Sequence, residues 1–275
     1  MLGKLIKHEF KATYKIFGLL FGALMLLTIL TRFCIYIPFD NMVFDLLTKI
    51  LTIVYVIAIV CMSIFSIVIV LIRFNNNMLR DQGYLSHTLP VKMWQQITAK
   101  VITYTVWMMA SMLAMVISLM VFFVGKDEFR SVLKGINKAI NEIGDYPKII
   151  VLIVVGVILM IMQLAANILN AFAALSLGQI FAKHKIAGAI LFYFILNYAL
   201  GFITSGIMML VPNLVDDMNS LDVKMQNANT LGQVADAMFK PFLSFFIFTM
   251  ILEVLIGAIY FVITNFMLNK KLNLE

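Results

Sequence analysis

Six long apolar runs constrain the fold of this chain more than any other feature. A bilayer crossing takes about 20 predominantly apolar residues, and six runs meet that requirement: Ile16 to Pro38, Ile50 to Ile72, Val101 to Val124, Ile149 to Ile180, Ile186 to Val211 and Phe242 to Leu268. The second, third and fourth contain no Lys, Arg, Asp or Glu, so buried helices of a soluble protein fit them poorly. With 63% hydrophobic and 13% charged residues, the sequence predicts an all-α polytopic membrane protein. We expect six transmembrane helices in a single domain that covers residues 1–275.

The distribution of basic residues predicts the orientation of those helices. Six crossings put both termini on one side, and short inner loops usually carry an excess of Lys and Arg. If the N-terminus, residues 73–100, residues 183–185 and the C-terminal tail lie inside, the inner segments hold 12 basic and 3 acidic residues, against 9 and 10 outside. We therefore expect an N-in, C-in protein whose outer loops are residues 125–148 and 212–241. The net charge of +7 then matches the anionic inner leaflet, and no nucleic-acid partner is implied.

The first 15 residues predict an amphipathic helix that lies in the membrane interface before the first crossing. At about 100° per residue, apolar side chains such as Phe10 and Phe17 fall opposite a narrow basic stripe. The lysine stripe consists of Lys4, Lys7, Lys11 and Lys15. Lysines that face anionic headgroups make membrane lipid an expected partner. The alternative is a basic tail with accidental periodicity.

The sequence lacks the motifs of the common hydrolytic enzymes. ATP hydrolysis would need a GxxxxGK[ST] loop, but the Gly-Lys pairs Gly3-Lys4 and Gly125-Lys126 lack the preceding Gly and the following hydroxyl. The three histidines are scattered over three predicted inner segments, without the spacing of a zinc site, and GxSxG is absent. We therefore expect no enzyme activity in this chain, and no metal or cofactor bound by it.

Polar residues inside the predicted crossings are the candidates for a translocation path, because placing them in hydrocarbon costs free energy. Glu253 lies about 18 Å into the sixth run, close to the bilayer midplane. Gln163, Asn167 and Asn170 follow i, i+4, i+7 spacing and form one polar stripe on the fourth. The alternative is interhelical hydrogen bonding alone, with Glu253 neutral or paired to Arg32.

Residues 73–100 form a predicted cytosolic connector between the second and third crossings. Pro90 disfavours a helical conformation at Leu89 and suits the first turn of a new helix, so the connector divides there. Tyr84, Leu85 and Leu89 make a small apolar knob with charges around it at Arg80, Asp81 and Lys92. An apolar centre with a charged rim is typical of a surface that docks a partner protein. The alternative is a surface turn packed against the inner helix ends.

The connector resembles that of a known family. Gly83-Tyr84-Leu85, Thr88-Leu89-Pro90-Val91, Ile97 and Lys100 resemble the pattern of the type 2 permeases of ATP-binding cassette exporters: a glycine, a Leu-Pro-Val/Ile turn and a basic residue that enters the third crossing. The lysine-striped helix is similar to the elbow helix of that family, so the resemblance covers nearly the whole chain. The chain departs from the family at Lys92-Met93, where Ser-Arg is common, and at Asp81, where Glu is more common.

The resemblance implies the transmembrane permease subunit of an exporter in a cell membrane, of the bacterial plasma membrane type. Such a subunit pairs with a second permease copy or paralogue and with two ATPase subunits that bind ATP and Mg²⁺. Its coupling connector would be residues 73–90, with candidate docking residues Asp81, Gly83, Tyr84, Leu85, Leu89, Pro90 and Lys92. No motif specifies the cargo or decides between homodimer and heterodimer. Two other classes stay open: an ion-coupled carrier or channel that uses Glu253, and a non-transporting membrane scaffold.

Overall fold

The protein is almost entirely helical in the part of the chain that its structure describes. The computed structural model describes residues 2–36, 42–79, 91–123, 126–144, 146–181, 183–209, 211, 220–221, 224–226 and 230–270. No strand occurs among them. The long helices are α1 (Leu2–Tyr36), α2 (Met42–Phe74), α3 (Met93–Phe123), α4 (Lys126–Gly144), α5 (Pro147–Gly178), α6 (Lys185–Met209) and α7 (Leu231–Lys270), with a π-helical turn, Asn75–Leu79, after α2.

Six of these helices are long and apolar enough to cross a membrane, by length and composition. They are α1, α2 with its π-helical turn, α3, α5, α6 and α7, and they correspond in order to the six apolar runs. Because a helix satisfies its own backbone hydrogen bonds, a run of this composition has few other stable forms in lipid. The chain is therefore a multi-pass membrane protein, as its sequence predicts.

Helix α1 joins the lysine-striped segment to the first apolar run without a break. It has 35 residues, so its length of about 52 Å exceeds the ~30 Å hydrocarbon core. No proline interrupts it, and its glycines at Gly18 and Gly22 are tolerated within the helix. The residues expected to form an elbow therefore continue directly into the first crossing, and their position in the interface stays a prediction.

The predicted outer loops contain more helix than loop where the structure describes them. Helix α4 occupies most of residues 125–148. Helix α7 begins at Leu231, inside the stretch 212–241, and continues through Pro241 for 40 residues in all. Proline lacks the backbone N–H of an ordinary helical residue, so one hydrogen bond of α7 is lost at that point.

The chain divides into two compact units, Met1–Val132 and Leu133–Asn273. In the first unit, α1 packs against both α2 and α3, and α2 packs against α3. Hydroxyl side chains connect these helices internally: Ser118 Oγ lies 2.8 Å from both Thr28 Oγ1 and Tyr55 Oη. Ser66 on α2 donates a hydrogen bond of 3.1 Å to Ser111 on α3. Such bonds hold membrane helices together where apolar burial offers no advantage over lipid.

In the second unit, α5 is the central helix and packs against both α6 and α7. Its last residue, Gly178, lies so close to α6 that a Cβ there would be 2.6 Å from the backbone nitrogen of Ala189. Only glycine allows this approach, which fixes the turn between α5 and α6. At the start of α5, Pro147 occupies the first turn, where its missing N–H costs nothing.

Candidate functional site

The predicted coupling residues fall mostly outside the described structure. Asp81, Gly83, Tyr84, Leu85, Leu89 and Pro90 are not among the described residues, and Lys92, which is, has an exposed side chain. The described residues on both sides of positions 80–90 are well packed in the first unit. Met78 and Leu79 are buried before these positions, and Met93 and Ile97 are buried after them.

A buried ion pair links the beginning of α1 to α3 near the end of the connector. Lys100 Nζ contacts Glu9 Oε1, and the side chains are only 4% and 14% exposed, respectively. On the other side of the connector, Arg73 at the end of α2 donates a hydrogen bond of 3.1 Å to the carbonyl of Ala12. Arg73 and Lys100 are thus both attached to a single turn of α1, between Glu9 and Ala12.

Aromatic packing reinforces this attachment. The Phe17 ring stacks on the Trp107 indole of α3, with centroids 4.8 Å apart and an interplanar angle of 5°. Phe10 lies against the same indole, and Trp107 Nε1 donates a 2.8 Å hydrogen bond to Thr13 Oγ1. The face of α1 opposite the lysine stripe therefore packs partly against α3. The stripe itself, Lys4, Lys7, Lys11 and Lys15, is exposed.

All four candidate path residues line one cavity in the second unit. The cavity has a volume of about 340 Å³ and lies between α5, α6 and α7. Gln163, Asn167 and Asn170 contribute its α5 wall, and Glu253 lies on its α7 wall. The other lining residues are Ala166, Asn197, Leu200, Gly201, Thr204, Ser205, Met208, Phe245, Thr249, Leu252, Ile256 and Tyr260.

The cavity wall combines one acidic group with several neutral polar groups. Glu253 is the sole charged residue among those that line it, and its carboxyl group forms no hydrogen bond or ion pair within the described parts of the chain. Asn170 is 2% exposed, and its Oδ1 accepts no hydrogen bond from any described residue. A buried polar atom without a partner costs about 1–3 kcal/mol, so a hydrogen-bond donor that enters the cavity would be stabilised at Asn170.

Sequence reasoning missed Glu9, Arg73, the polar residues of α6 and, apart from Glu253, those of α7. Asn197 and Thr204 follow i, i+7 spacing, so their common face on α6 was visible in the sequence. The Glu9–Lys100 pair carries no such signal, since 91 positions separate its members. The described residues include no cluster of His, Cys, Asp or Glu that could hold a metal ion.

Comparison of the chain with protein-family models, curated proteins and solved structures finds no match. The class that its fold defines is the multi-pass α-helical membrane protein. Within that class, the features that bear on function are the attached connector of the first unit and the acidic cavity of the second.

Proposed function

We propose that this chain is the transmembrane permease subunit of an ATP-binding cassette exporter, and that it forms the translocation path of that exporter. It couples to separate ATPase subunits through the 73–90 connector. The observation that carries this proposal is that α1 holds the residues on both sides of the connector. Arg73, at its start, donates a hydrogen bond to Ala12, and Lys100, on α3 beyond its end, forms the ion pair with Glu9. A push on residues 80–90 would then move α1, α2 and α3 together.

The resemblance of residues 83–100 to the coupling segment of type 2 permeases supports an ATPase as the partner. ATPase closure would press on the apolar knob of Tyr84, Leu85 and Leu89. The termini lie inside, and the lysine stripe rests on the inner leaflet of a bacterial plasma membrane. A second permease copy or paralogue completes the path, and ATP with Mg²⁺ binds to the ATPases.

A second candidate function is ion-coupled transport without an ATPase. The position of Glu253 in a polar cavity favours it, because a carboxyl group in a membrane helix is suited to carry a proton or to bind a cation. The two functions differ in whether transport needs an ATPase. Loss of transport in Glu253→Gln fits either function, whereas transport by the chain without any ATPase fits the second one alone.

The direct test is co-purification with an ATPase that lacks membrane spans and is encoded next to this chain. We expect a stable complex in detergent, and ATP hydrolysis that changes when the permease is present. Failure to bind that ATPase, together with ion-driven transport in vesicles, would contradict the proposal in favour of the carrier.

A further inference from the structure

We propose that the cavity between α5, α6 and α7 is a binding site for a small organic ammonium cation, with Glu253 as its counter-ion. If the chain is an exporter permease, such amines are its substrate class. That step rests on the proposed function, whereas binding itself does not.

The size of the cavity argues for an organic ligand. A volume of about 340 Å³ is many times that of one water molecule, about 30 Å³, and falls in the usual range of small-molecule sites. A proton or a metal ion alone would need far less space. Apolar side chains from all three helices complete the wall, among them Leu200, Phe245 and Ile256, and they offer a surface for the hydrocarbon part of a ligand.

The charge of the wall argues for a cation. Among the described residues that line the cavity, Glu253 is the one charged residue, and none is Lys or Arg. A carboxylate in a membrane helix is costly unless an opposite charge compensates it. A ligand with one positive charge supplies that compensation, whereas an anion would meet repulsion and no countercharge on this wall.

The unpaired amide argues for a cation that carries N–H groups. Asn170 Oδ1 is buried without a hydrogen-bond donor among the described residues. Rotation of the amide about its terminal side-chain bond can turn either the oxygen or the NH₂ group toward the cavity. The adjacent turn of α5 adds the amide of Asn167, and α7 adds the hydroxyl of Thr249. A primary ammonium brings three donors to these acceptors, and a quaternary ammonium brings none.

The same ammonium group occurs on free amines and on aminolipid headgroups. A lipid headgroup would also bring a phosphate, for which the wall offers no cationic partner. We therefore assign the site to a free amine. Nanodiscs made with and without phosphatidylethanolamine distinguish the two sources.

The experiment is equilibrium binding of radiolabelled phenethylamine to the full-length protein in phosphatidylcholine nanodiscs. We expect saturable binding that unlabelled phenethylamine abolishes, that phenethyltrimethylammonium weakens less, and that neither 2-phenylethanol nor 3-phenylpropionate prevents. Glu253→Gln should lower the affinity at least about 30-fold, as for a buried charge that loses its partner. Asn170→Leu should lower it about fivefold or more. Competition by phosphatidylethanolamine would support an ammonium site but would overturn its assignment to a free amine, because the occupant would then be a lipid.

The control is Asp45→Asn, which removes an exposed acidic residue of the first unit and should leave binding unchanged. Glu253→Asp keeps the charge and should retain binding. It therefore still tests the proposal if Glu253→Gln fails to fold. Equal competition by 2-phenylethanol, wild-type affinity in folded Glu253→Gln, or the absence of saturable binding would overturn the proposal. Because no ATPase is present in this assay, its failure leaves the proposed exporter function untouched. Amine binding by a protein that binds no ATPase would contradict that function alone.

Discussion

At the scale of single residues, the Glu9–Lys100 pair is the most consequential contact of the first unit. Both charges are largely shielded from water, so each depends on the other and on the neighbouring Tyr104 hydroxyl and Arg73 guanidinium. Truncation of one member of a buried pair typically costs about 3–5 kcal/mol, because the other charge stays buried without compensation. Replacement of both members by apolar residues is often close to neutral. This pair therefore holds α1 to α3 at the end of the connector.

We predict that Lys100→Met lowers the stability of the purified protein by roughly 3 kcal/mol. Adding Glu9→Leu to that variant should restore part of the loss, because the unpaired carboxylate is removed while the nearby Arg73 keeps its hydrogen bond to the carbonyl of Ala12. The measurement is thermal unfolding in detergent of the two single variants and the double variant. Lys49→Met is the control, since Lys49 forms an exposed pair with Asp45 at 3.7 Å and such pairs contribute little. Additive losses in the double variant would show that the two residues act independently.

The sequence predicts some of the candidate site and misses the rest, for a physical reason. Gln163, Asn167 and Asn170 share one helix, so their common face follows from helical periodicity. The approach of Asn197 on α6 and Tyr260 on α7 to the same cavity depends on how three helices pack. The Glu9–Lys100 pair likewise joins distant parts of the chain, and no local spacing encodes such a contact.

At the scale of helices, α1 packs against both other long helices of the first unit, and α5 packs closely against α6 in the second. Helix α1 presents lysines on one side and Phe10, Thr13 and Phe17 to α3 on the other. The six long helices were predictable because hydrocarbon permits few other backbone forms. The beginning of α7 at Leu231 was not predictable from the sequence. The stretch 212–241 is rich in Asn and Asp and ends in Pro241, which is more typical of a loop.

Neutralisation of the lysine stripe should weaken membrane attachment of α1 without removing its helix. Each lysine near anionic headgroups contributes about 1 kcal/mol, so we change Lys4, Lys7, Lys11 and Lys15 to Gln together. We expect six inserted helices but less assembled complex and less transport in vivo, measured by blue-native electrophoresis and by export. Full assembly and activity in this quadruple variant would make the stripe incidental.

Gly178 should tolerate no larger side chain. Its Cβ would lie 2.6 Å from the backbone of Ala189, and overpacking of this kind costs about 1–3 kcal/mol. Gly178→Ala should therefore lower the unfolding temperature. The matched control on the same helix is Gly156→Ala, whose Cβ would meet the Phe246 side chain at an ordinary 3.5 Å; it should leave stability unchanged or raise it. An equal effect of the two substitutions would contradict the close approach of α5 and α6.

At the scale of the whole molecule, the N-in, C-in orientation is a prediction from the basic residues, and it is open to direct measurement. In a variant with Cys34→Ala and Cys61→Ala, we add either Ser86→Cys or Asn137→Cys. An impermeant thiol reagent applied to intact cells should label the cysteine at position 137 and spare the one at position 86, because N-in, C-in topology puts them on opposite sides. Labelling at position 86 from outside would show that the orientation is the reverse of the predicted one.

The measurement that most directly tests the exporter function is ATPase retention by the double variant Leu85→Asp, Leu89→Asp. A few central apolar anchors usually dominate an interface, and charges placed in an apolar groove lose hydration without a partner. We predict that this variant inserts normally, loses the ATPase on purification and loses ATP-dependent transport, whereas Glu253→Gln keeps the ATPase. A double variant that is correctly inserted, retains the ATPase and transports as the unchanged protein does would show that residues 80–90 are not the coupling element.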